Sequence, residues 1–201
     1  MICDMKQHAT IIWGSLCLVL PSVLLGQSTF ELRNYNPLHG VNAPVFDADG
    51  IPLAGFDYRA ELWGGSSSNA LAPLLDISRG NSREMAAFVS GGYVVGTSAF
   101  LSVLDVPPSG WAWLQLRAWD YRLGATYEVV SVLGLGGYGE SPLFYAQGGN
   151  PVVIPATPGG PLIGLQSFSL RPVPEPSVWA LLALGGIAVG WAVRRQQRVA
   201  G

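Results

Sequence analysis

Residues 111–120 read WAWLQLRAWD, and this segment decides the fold. Positions 112, 114, 116 and 118 hold only Ala or Leu. The alternate positions hold one Gln, one Arg and three tryptophans, Trp111, Trp113 and Trp119. Because successive side chains of a β-strand point to opposite faces, the segment predicts a strand with one wholly apolar face and one indole-rich face.

The indole-rich face has two interpretations. Flat aromatic rings can form a platform for a sugar ring, which makes a carbohydrate site one hypothesis. The alternative is that this face is the second inner face of a two-layer sandwich, since aromatic side chains contribute much of the buried area of protein cores. We favour the core and expect the three indoles to share one environment, with Trp113 buried and Trp111 partly exposed at the strand end.

A second alternating segment covers residues 56–63. Phe56, Tyr58, Ala60 and Leu62 are expected on the core side, and the charged residues between them, including Glu61, on the solvent side. The remaining expected strands are residues 29–34, 88–95, 99–104, 126–132, 142–146 and 164–170.

Gly- and Pro-rich turns separate these strands, and residues 79–87 are expected to form one or two helical turns. Many short strands with almost no helix predict an all-β fold, a single antiparallel β-sandwich of jelly-roll type.

Charge and cysteine content exclude several classes of function. Residues 27–172 carry eleven acidic side chains and seven Arg, a net charge of −4, and no Lys. This composition lacks the basic surface that nucleic-acid binding requires. Cys3 and Cys17 both lie before residue 27, so the central segment has no disulfide, thiol nucleophile or cysteine-based metal site.

Two short motifs resemble ligand sites. Asp47, Asp49 and Gly50 resemble the start of a calcium loop, but Tyr58 stands where a later acidic ligand would be, and a hairpin turn explains the motif better. Residues 134–139 match the pattern Gly-x-Gly-x-x-Gly without the strand and helix that a nucleotide site needs, so a glycine-rich loop is expected.

Catalysis has no support in the sequence. His39 is the only His of residues 27–172 and lies in an expected loop, and no Gly-x-Ser-x-Gly motif is present. We therefore expect neither an enzyme nor a bound cofactor.

Residues 1–26 are typical of a secretory signal peptide. Lys6 and His8 precede an apolar run at residues 11–25, and cleavage is expected after Gly26 or Ser28. The Sec translocon and signal peptidase are then the expected partners. A retained N-terminal anchor is the alternative, which Pro21 and the short run disfavour.

The C-terminal segment contains three parts in order. Val173, Pro174, Glu175 and Pro176 come first, an uncharged apolar run follows at residues 178–193, and the basic residues are Arg194, Arg195 and Arg198. As a helix, the run would extend about 24 Å, against a hydrocarbon core of about 30 Å. The arginines predict a cytoplasmic C-terminal side, which places residues 27–172 outside the membrane.

This order of Pro-Glu-Pro, single span and basic tail resembles the PEP-CTERM sorting signal of Gram-negative bacteria. The resemblance implies that Pro174, Glu175 and Pro176 are recognised by an exosortase-type processing enzyme, with the arginines as stop-transfer charges. An ordinary tail anchor is the alternative.

The expected organisation is a signal peptide at residues 1–26, an exported domain at 27–172 and a sorting tail at 173–201. The expected function is a non-catalytic cell-surface or matrix protein linked to exopolysaccharide or biofilm. A small carbohydrate-binding module that uses Trp111, Trp113 and Trp119 is the alternative.

Overall fold

The computed structural model describes residues 27–94 and 100–173. Within them the chain forms short strands, one α-helix, α1 (Tyr127–Leu133), and two 3₁₀ turns, Pro37–His39 and Ile77–Arg79. The strands are β1 (Ser28–Phe30), β2 (Tyr35–Asn36), β3 (Val41–Asn42), β4 (Val45–Phe46), β5 (Gly55–Gly65), β6 (Ala72–Pro73), β7 (Leu75–Asp76), β8 (Ser82–Arg83), β9 (Ala86–Ser90), β10 (Tyr93–Val94), β11 (Leu101–Val103), β12 (Trp111–Asp120), β13 (Tyr138–Glu140), β14 (Phe144–Gln147) and β15 (Phe168–Ser169).

The largest sheet is built on β5 and β12, the two strands that alternation predicts most clearly. They pair antiparallel from Trp113 opposite Gly65 to Asp120 opposite Tyr58. The strand order is β10-β9-β5-β12-β13, with β6 added to β5 and β14 added to β12. Because β13 and β14 pair with different halves of β12, they line the same edge of the sheet.

A second antiparallel sheet has the order β1-β11-β7-β8. Two small pairs complete the described strands: β2 with β3 is antiparallel, and β15 with β4 is parallel. The all-β class is therefore confirmed, with antiparallel main sheets and little helix.

One apolar core contains side chains from both main sheets. The Ala and Leu residues at positions 112, 114, 116 and 118 of β12 are fully buried in it, as the alternation predicts. Phe30 of β1 and Leu101 of β11 belong to the same core. Burial of this face fixes the register of β12, since a one-residue slip would expose all four positions.

The expected faces of β5 are wrong at two positions. Phe56 is 80% exposed, and Glu61 is only 1% exposed. Phe56 lies where the pairing of β5 with β9 shifts register between Gly55 and Arg59, so its side chain is not held over the core. Glu61 is buried because an arginine and a tryptophan pair with its carboxylate, as described below.

The strand expected at residues 126–132 is wrong, because this segment forms α1. The hydroxyl of Thr126 caps the helix by accepting from the Val129 amide, and Gly134 ends it with a positive φ of 65°. Tyr127 and Val130 point into the molecule. The β-branched residues of the segment favour a strand locally, and the two caps and this packing overcome that preference.

The helical turns expected at residues 79–87 are wrong as well. A 3₁₀ turn, Ile77–Arg79, ends on the first residue of this segment, and β8 and the start of β9 occupy most of the rest. Asp76 caps that turn by accepting from the Ser78 amide, and Gly80 closes it in the left-handed conformation.

Candidate functional site

The three tryptophans of β12 lie in different environments. Trp111 is 52% exposed, Trp113 is half-buried and Trp119 is fully buried. The expectation of one shared environment is wrong, and so is the expectation that Trp113 belongs to the core. The indole-rich face is covered at its Trp119 end, where α1 packs against β12.

At the exposed end, Trp111 and Trp113 lie beside Tyr145 of β14. The rings of Trp111 and Tyr145 are stacked, with centroids 5.4 Å apart and planes 24° apart. The Trp113 ring lies 5.1 Å from Tyr145 at a 42° tilt. Tyr145 is 50% exposed. We call these three residues the indole platform. The alternation of residues 111–120 predicts its two tryptophans but not Tyr145, whose position depends on the pairing of β14 with β12.

An open cleft of about 430 Å³ lies next to the indole platform. Gln147 lines it and stands opposite Trp111 in the β12–β14 register, so it connects cleft and platform. The cleft is also lined by Glu31, Asn36 and His39. Asn36 Oδ1 lies 3.2 Å from His39 Nδ1. Aromatic faces beside polar side chains can hold a ligand that has both apolar and hydrogen-bonding surfaces.

At the covered end, Trp119 packs with residues of α1 and β13 in a second, smaller apolar cluster. The Tyr127 ring meets the rings of Trp119 and Tyr138 edge to face, with centroids 6.5 and 5.8 Å apart. The indole Nε1 of Trp119 donates to the Gly124 carbonyl at 3.1 Å. Burial, helped by a hydrogen bond of its hydroxyl to Glu140, raises the pKa of Tyr127 above its usual range. This end is packed and its polar atoms are paired, which suits a structural role.

Between the two ends, the buried Glu61 anchors an ion-pair network. Its carboxylate accepts from Trp63 Nε1 at 3.0 Å and from Arg83 Nε at 2.6 Å. Arg83 also pairs with Glu128 of α1 at 3.0 Å. The hydrogen bond to Glu61 raises the pKa of Arg83 above its usual range. Arg117 lies with its guanidinium 3.8 Å from the centre of the Trp63 ring. The network therefore ties α1 to the large sheet.

The Asp47 motif forms a turn, as expected. Asp47 Oδ1 accepts from the amides of Asp49 and Ile51, and Gly50 has a φ of 81°. In residues 27–94 and 100–173, no three His, Cys, Asp or Glu side chains are grouped so that they could hold a metal ion.

The last described residues are held tightly against the domain. After β15, the Leu170 amide donates to the Phe46 carbonyl at 2.9 Å, and Leu170 is buried. The Arg171 amide then donates to the Tyr138 carbonyl at 2.8 Å, and the Gly137 amide donates to the Arg171 carbonyl at 2.8 Å. Two residues later, Val173 is exposed. We call residues 170–173 the tail exit.

Glycines of the loop at residues 134–137 and of β13 allow this close approach. Gly136 has a φ of 83°, and a Cβ on it would lie 1.9 Å from the Pro172 carbonyl oxygen. A Cβ on Gly139 would lie 2.6 Å from the Ser169 carbonyl oxygen. The sequence predicted a glycine-rich loop here but not the chain segment that lies against it, residues 169–172. The reason is that the pattern shows where backbone can approach, not which backbone does so.

The partly exposed side chain of Arg171, in the tail exit, contacts two residues of β13. Its Nη1 donates to the Tyr138 hydroxyl at 3.0 Å, and its guanidinium lies 4.8 Å from the centre of the Tyr138 ring. Its Nη2 lies 4.0 Å from Glu140. The tail exit is thereby joined to the cluster under α1, which contains Tyr138.

Comparison with known families places a motif at this exit. Residues 172–196 match the family model described as the PEP-CTERM protein-sorting motif. The chain carries a PEP-CTERM sorting motif. The resemblance drawn from the Pro-Glu-Pro order is thus confirmed. No curated protein and no solved structure matches the chain.

The PEP-CTERM motif implies an exported protein that is transiently anchored to the membrane and processed by an exosortase-type system. Of the predicted sorting residues Val173, Pro174, Glu175 and Pro176, the structure describes only Val173. No helix in residues 27–94 and 100–173 is both long and apolar enough to cross a membrane. The predicted signal peptide, span and sorting residues lie outside the described residues: 1–26, 178–193, Pro174, Glu175, Pro176, Arg194, Arg195 and Arg198.

Proposed function

We propose that residues 27–172 are a non-catalytic cell-surface or matrix domain that the PEP-CTERM tail delivers. The observation that carries the proposal is the sorting motif at residues 172–196, which begins where the tail leaves the domain. In this proposal the leader at residues 1–26 engages the Sec translocon and signal peptidase. The exported domain is then a structural part of a cell surface or matrix that also contains exopolysaccharide, without a binding site of its own for the polysaccharide.

The test of delivery is the intact mass of the mature protein from a host that has an exosortase. We expect a surface form that lacks residues 178–193. In Glu175→Gln the processed form should decrease, whereas Glu31→Gln, a matched change outside the tail, should leave processing unchanged. A mature parent protein that still ends at Gly201 would overturn the sorting proposal and leave a plain anchor.

A second candidate function is a carbohydrate-binding module, which the exposure of the indole platform favours. Trp111 and Tyr145 are each about half exposed although they are large aromatic residues. Such side chains combine apolar area with a polar group and are suited to partly wet contacts. The adjoining cleft offers the Glu31 carboxylate and the amides of Asn36 and Gln147 for hydroxyl groups. An extended polysaccharide chain fits this arrangement of platform and open cleft.

Purified exopolysaccharide from the same host is the probe for this candidate, with tryptophan fluorescence as the readout. We expect binding by the parent and its loss in Trp111→Ala and Tyr145→Ala. Phe56→Ala removes an exposed aromatic residue elsewhere and should bind as the parent does. A parent protein that does not bind the polysaccharide would reject the module and leave the non-catalytic surface role.

For the architecture, we propose a single jelly-roll-like sandwich in which the two main sheets are the layers. The shared core, with Phe30 and Leu101 from one sheet and Leu114 from the other, supports this. Amide hydrogen exchange should then show the two sheets opening together, since cooperative units exchange as one. Independent opening of β1 and β12 would contradict a single sandwich.

A further inference from the structure

The tail exit is bordered by apolar side chains that lack cover. Helix α1 exposes Val129, Val132 and Leu133, with Val132 86% exposed, and Leu135 follows in the next loop. Val173, at the tail exit, is about half exposed. We call these five residues the exit patch.

The members of the exit patch lie together because of the helix period and the glycine loop. Val129, Val132 and Leu133 are spaced i, i+3 and i+4, so they lie on one side of α1. The chain then passes Leu135 and reaches Gly136, against which Pro172 lies. The Val173 side chain approaches Gly137, where an added Cβ would lie 3.4 Å from Val173 Cγ2. Helix, loop and tail exit therefore form one continuous surface.

The exit patch carries no charge that would oppose burial in an apolar environment. Residues 129–139 contain no Asp, Glu, Lys or Arg. The flanking acids are engaged, Glu128 with Arg83 and Glu140 with the Tyr127 hydroxyl. Arg171, more than half exposed beside the patch, adds a positive charge at the same edge. Apolar side chains bordered by Arg are typical of surfaces that rest on membranes with anionic lipids.

The sequence after Val173 limits how far this surface can be from a bilayer. The apolar run begins at Val178, and five residues of extended chain at about 3.6 Å each reach about 18 Å. The headgroup region on one side of a bilayer is about 5–8 Å thick. A chain anchored by its PEP-CTERM tail therefore holds the exit patch beside the lipid surface.

From these observations we infer that the exit patch contacts the membrane while the tail is anchored, with Val132, Leu133 and Leu135 in the lipid headgroup region. The inference rests on the anchored state of the PEP-CTERM protein. It adds that the domain has a fixed orientation, with α1 and the loop at residues 134–137 toward the bilayer. Release of the tail then removes the constraint that holds this surface against lipid.

The test uses the full chain reconstituted in vesicles of phosphatidylethanolamine and phosphatidylglycerol. Cys3→Ser and Cys17→Ser remove the native thiols, and Val132→Cys provides one site for an environment-sensitive fluorophore. Ile154→Cys is the matched control, since Ile154 is a fully exposed β-branched residue outside the patch. Both sites are exposed, so neither label disturbs the core. We expect a blue shift of emission at position 132 and a loss of intensity when the lipids carry a nitroxide quencher, with neither change at position 154.

Flotation of the full chain, compared with that of a chain that ends at Val173, separately reports whether the tail anchors it to the vesicles. If the chain floats but the labels at positions 132 and 154 give the same emission and quenching, the chain is anchored and the proposed membrane contact of the exit patch is wrong. A blue-shifted label at position 132 that lipid quenchers do not reach shows that protein covers the patch, either residues 178–193 or a second copy, which also overturns it. If the chain does not float, the tail does not anchor it, and the inference is wrong as well.

Discussion

The two ends of β12 use the same residue type in opposite ways. Trp119 lies under α1 with no exposed surface and with its indole nitrogen paired, whereas Trp111 is half exposed and stacks on Tyr145. Both side chains occupy the same face of one strand, eight residues apart. The difference shows that alternation determines which side chains share a face, while distant segments determine which part of that face is buried.

Truncation of Trp119 should have the largest effect. We expect Trp119→Ala to lower the free energy of unfolding by about 3–5 kcal/mol, because it deletes a fully buried aromatic side chain and leaves a cavity. Urea denaturation of the parent and the variant measures this. Phe56→Ala, which truncates an exposed aromatic residue, is the control. A loss no larger than that of the control would mean that α1 does not cover this end.

Removal of the Glu61 charge should come next. Glu61→Gln keeps the shape but weakens the hydrogen bonds from Trp63 and Arg83, which should cost roughly 1–3 kcal/mol. Arg83 is partly exposed and retains Glu128, which keeps the loss below that for a wholly buried ion pair. Glu128→Gln changes a more exposed partner and should cost about 0–1 kcal/mol. If the two variants lose the same free energy of unfolding, the burial of Glu61 does not increase its contribution to stability.

Truncation of Trp111 should affect stability much less than truncation of Trp119. The main loss in Trp111→Ala is the stacking on Tyr145, about 0.5–1.5 kcal/mol for an aromatic pair. Thermal melts of Trp111→Ala and Trp119→Ala side by side measure the contrast, with Trp113→Ala expected between them. Equal melting temperatures for the two end variants would remove the distinction between the ends of β12.

The smallest effect concerns acid stability at the covered end. Burial raises the pKa of Asp120, but hydrogen bonds from the Arg122 side chain and backbone outweigh it, and the net pKa is lowered. A lowered folded-state pKa gives stability that is present above the unfolded value of about 3.9 and is lost as pH falls through the folded value.

Asp120→Asn should therefore reduce the fall in unfolding free energy below about pH 4, by about 0.2–1 kcal/mol because Arg122 is largely exposed. Denaturation curves at several pH values measure it. Asp49→Asn, the same substitution at an exposed turn residue, is the matched control. If the unfolding free energy of Asp120→Asn falls with pH as steeply as that of the parent, the Asp120–Arg122 pair does not contribute to acid sensitivity.

The sequence was most informative where the pattern was long and local. The bounds of β12 agree with the prediction, and residues 56–63 lie within β5. The turn at Asp49 and Gly50 was predictable because Asp47 bonds to backbone amides close to it in sequence. The PEP-CTERM motif was predictable for the same reason, since its signal lies in the order of adjacent residues.

The sequence was least informative where long-range packing decides the outcome. Helix α1 was misread because Val129, Val130 and Val132 favour strands locally, although Val129, Val132 and Leu133 also have the spacing of one side of a helix. The partial cover of the indole face, the burial of Glu61 and the position of Tyr145 all depend on strands that meet across many residues. Local patterns contain no information on those pairings.

The pairing of β15 with β4 has a consequence for the timing of folding. Phe168 lies opposite Val45, which is 123 residues earlier in the chain, and the Leu170 amide closes on Phe46. Contacts between such distant residues are intrinsically slow to form, since closing the long loop between them costs chain entropy before the contact stabilises the fold. In a chain exported from its N-terminus, β4 waits for residues 168–170 to emerge, and Pro172, where the sorting motif begins, follows immediately. If the proposed leader at residues 1–26 directs export, the last strand can dock only as the PEP-CTERM segment at residues 172–196 reaches the membrane, which joins completion of the fold to the step at which the anchor forms.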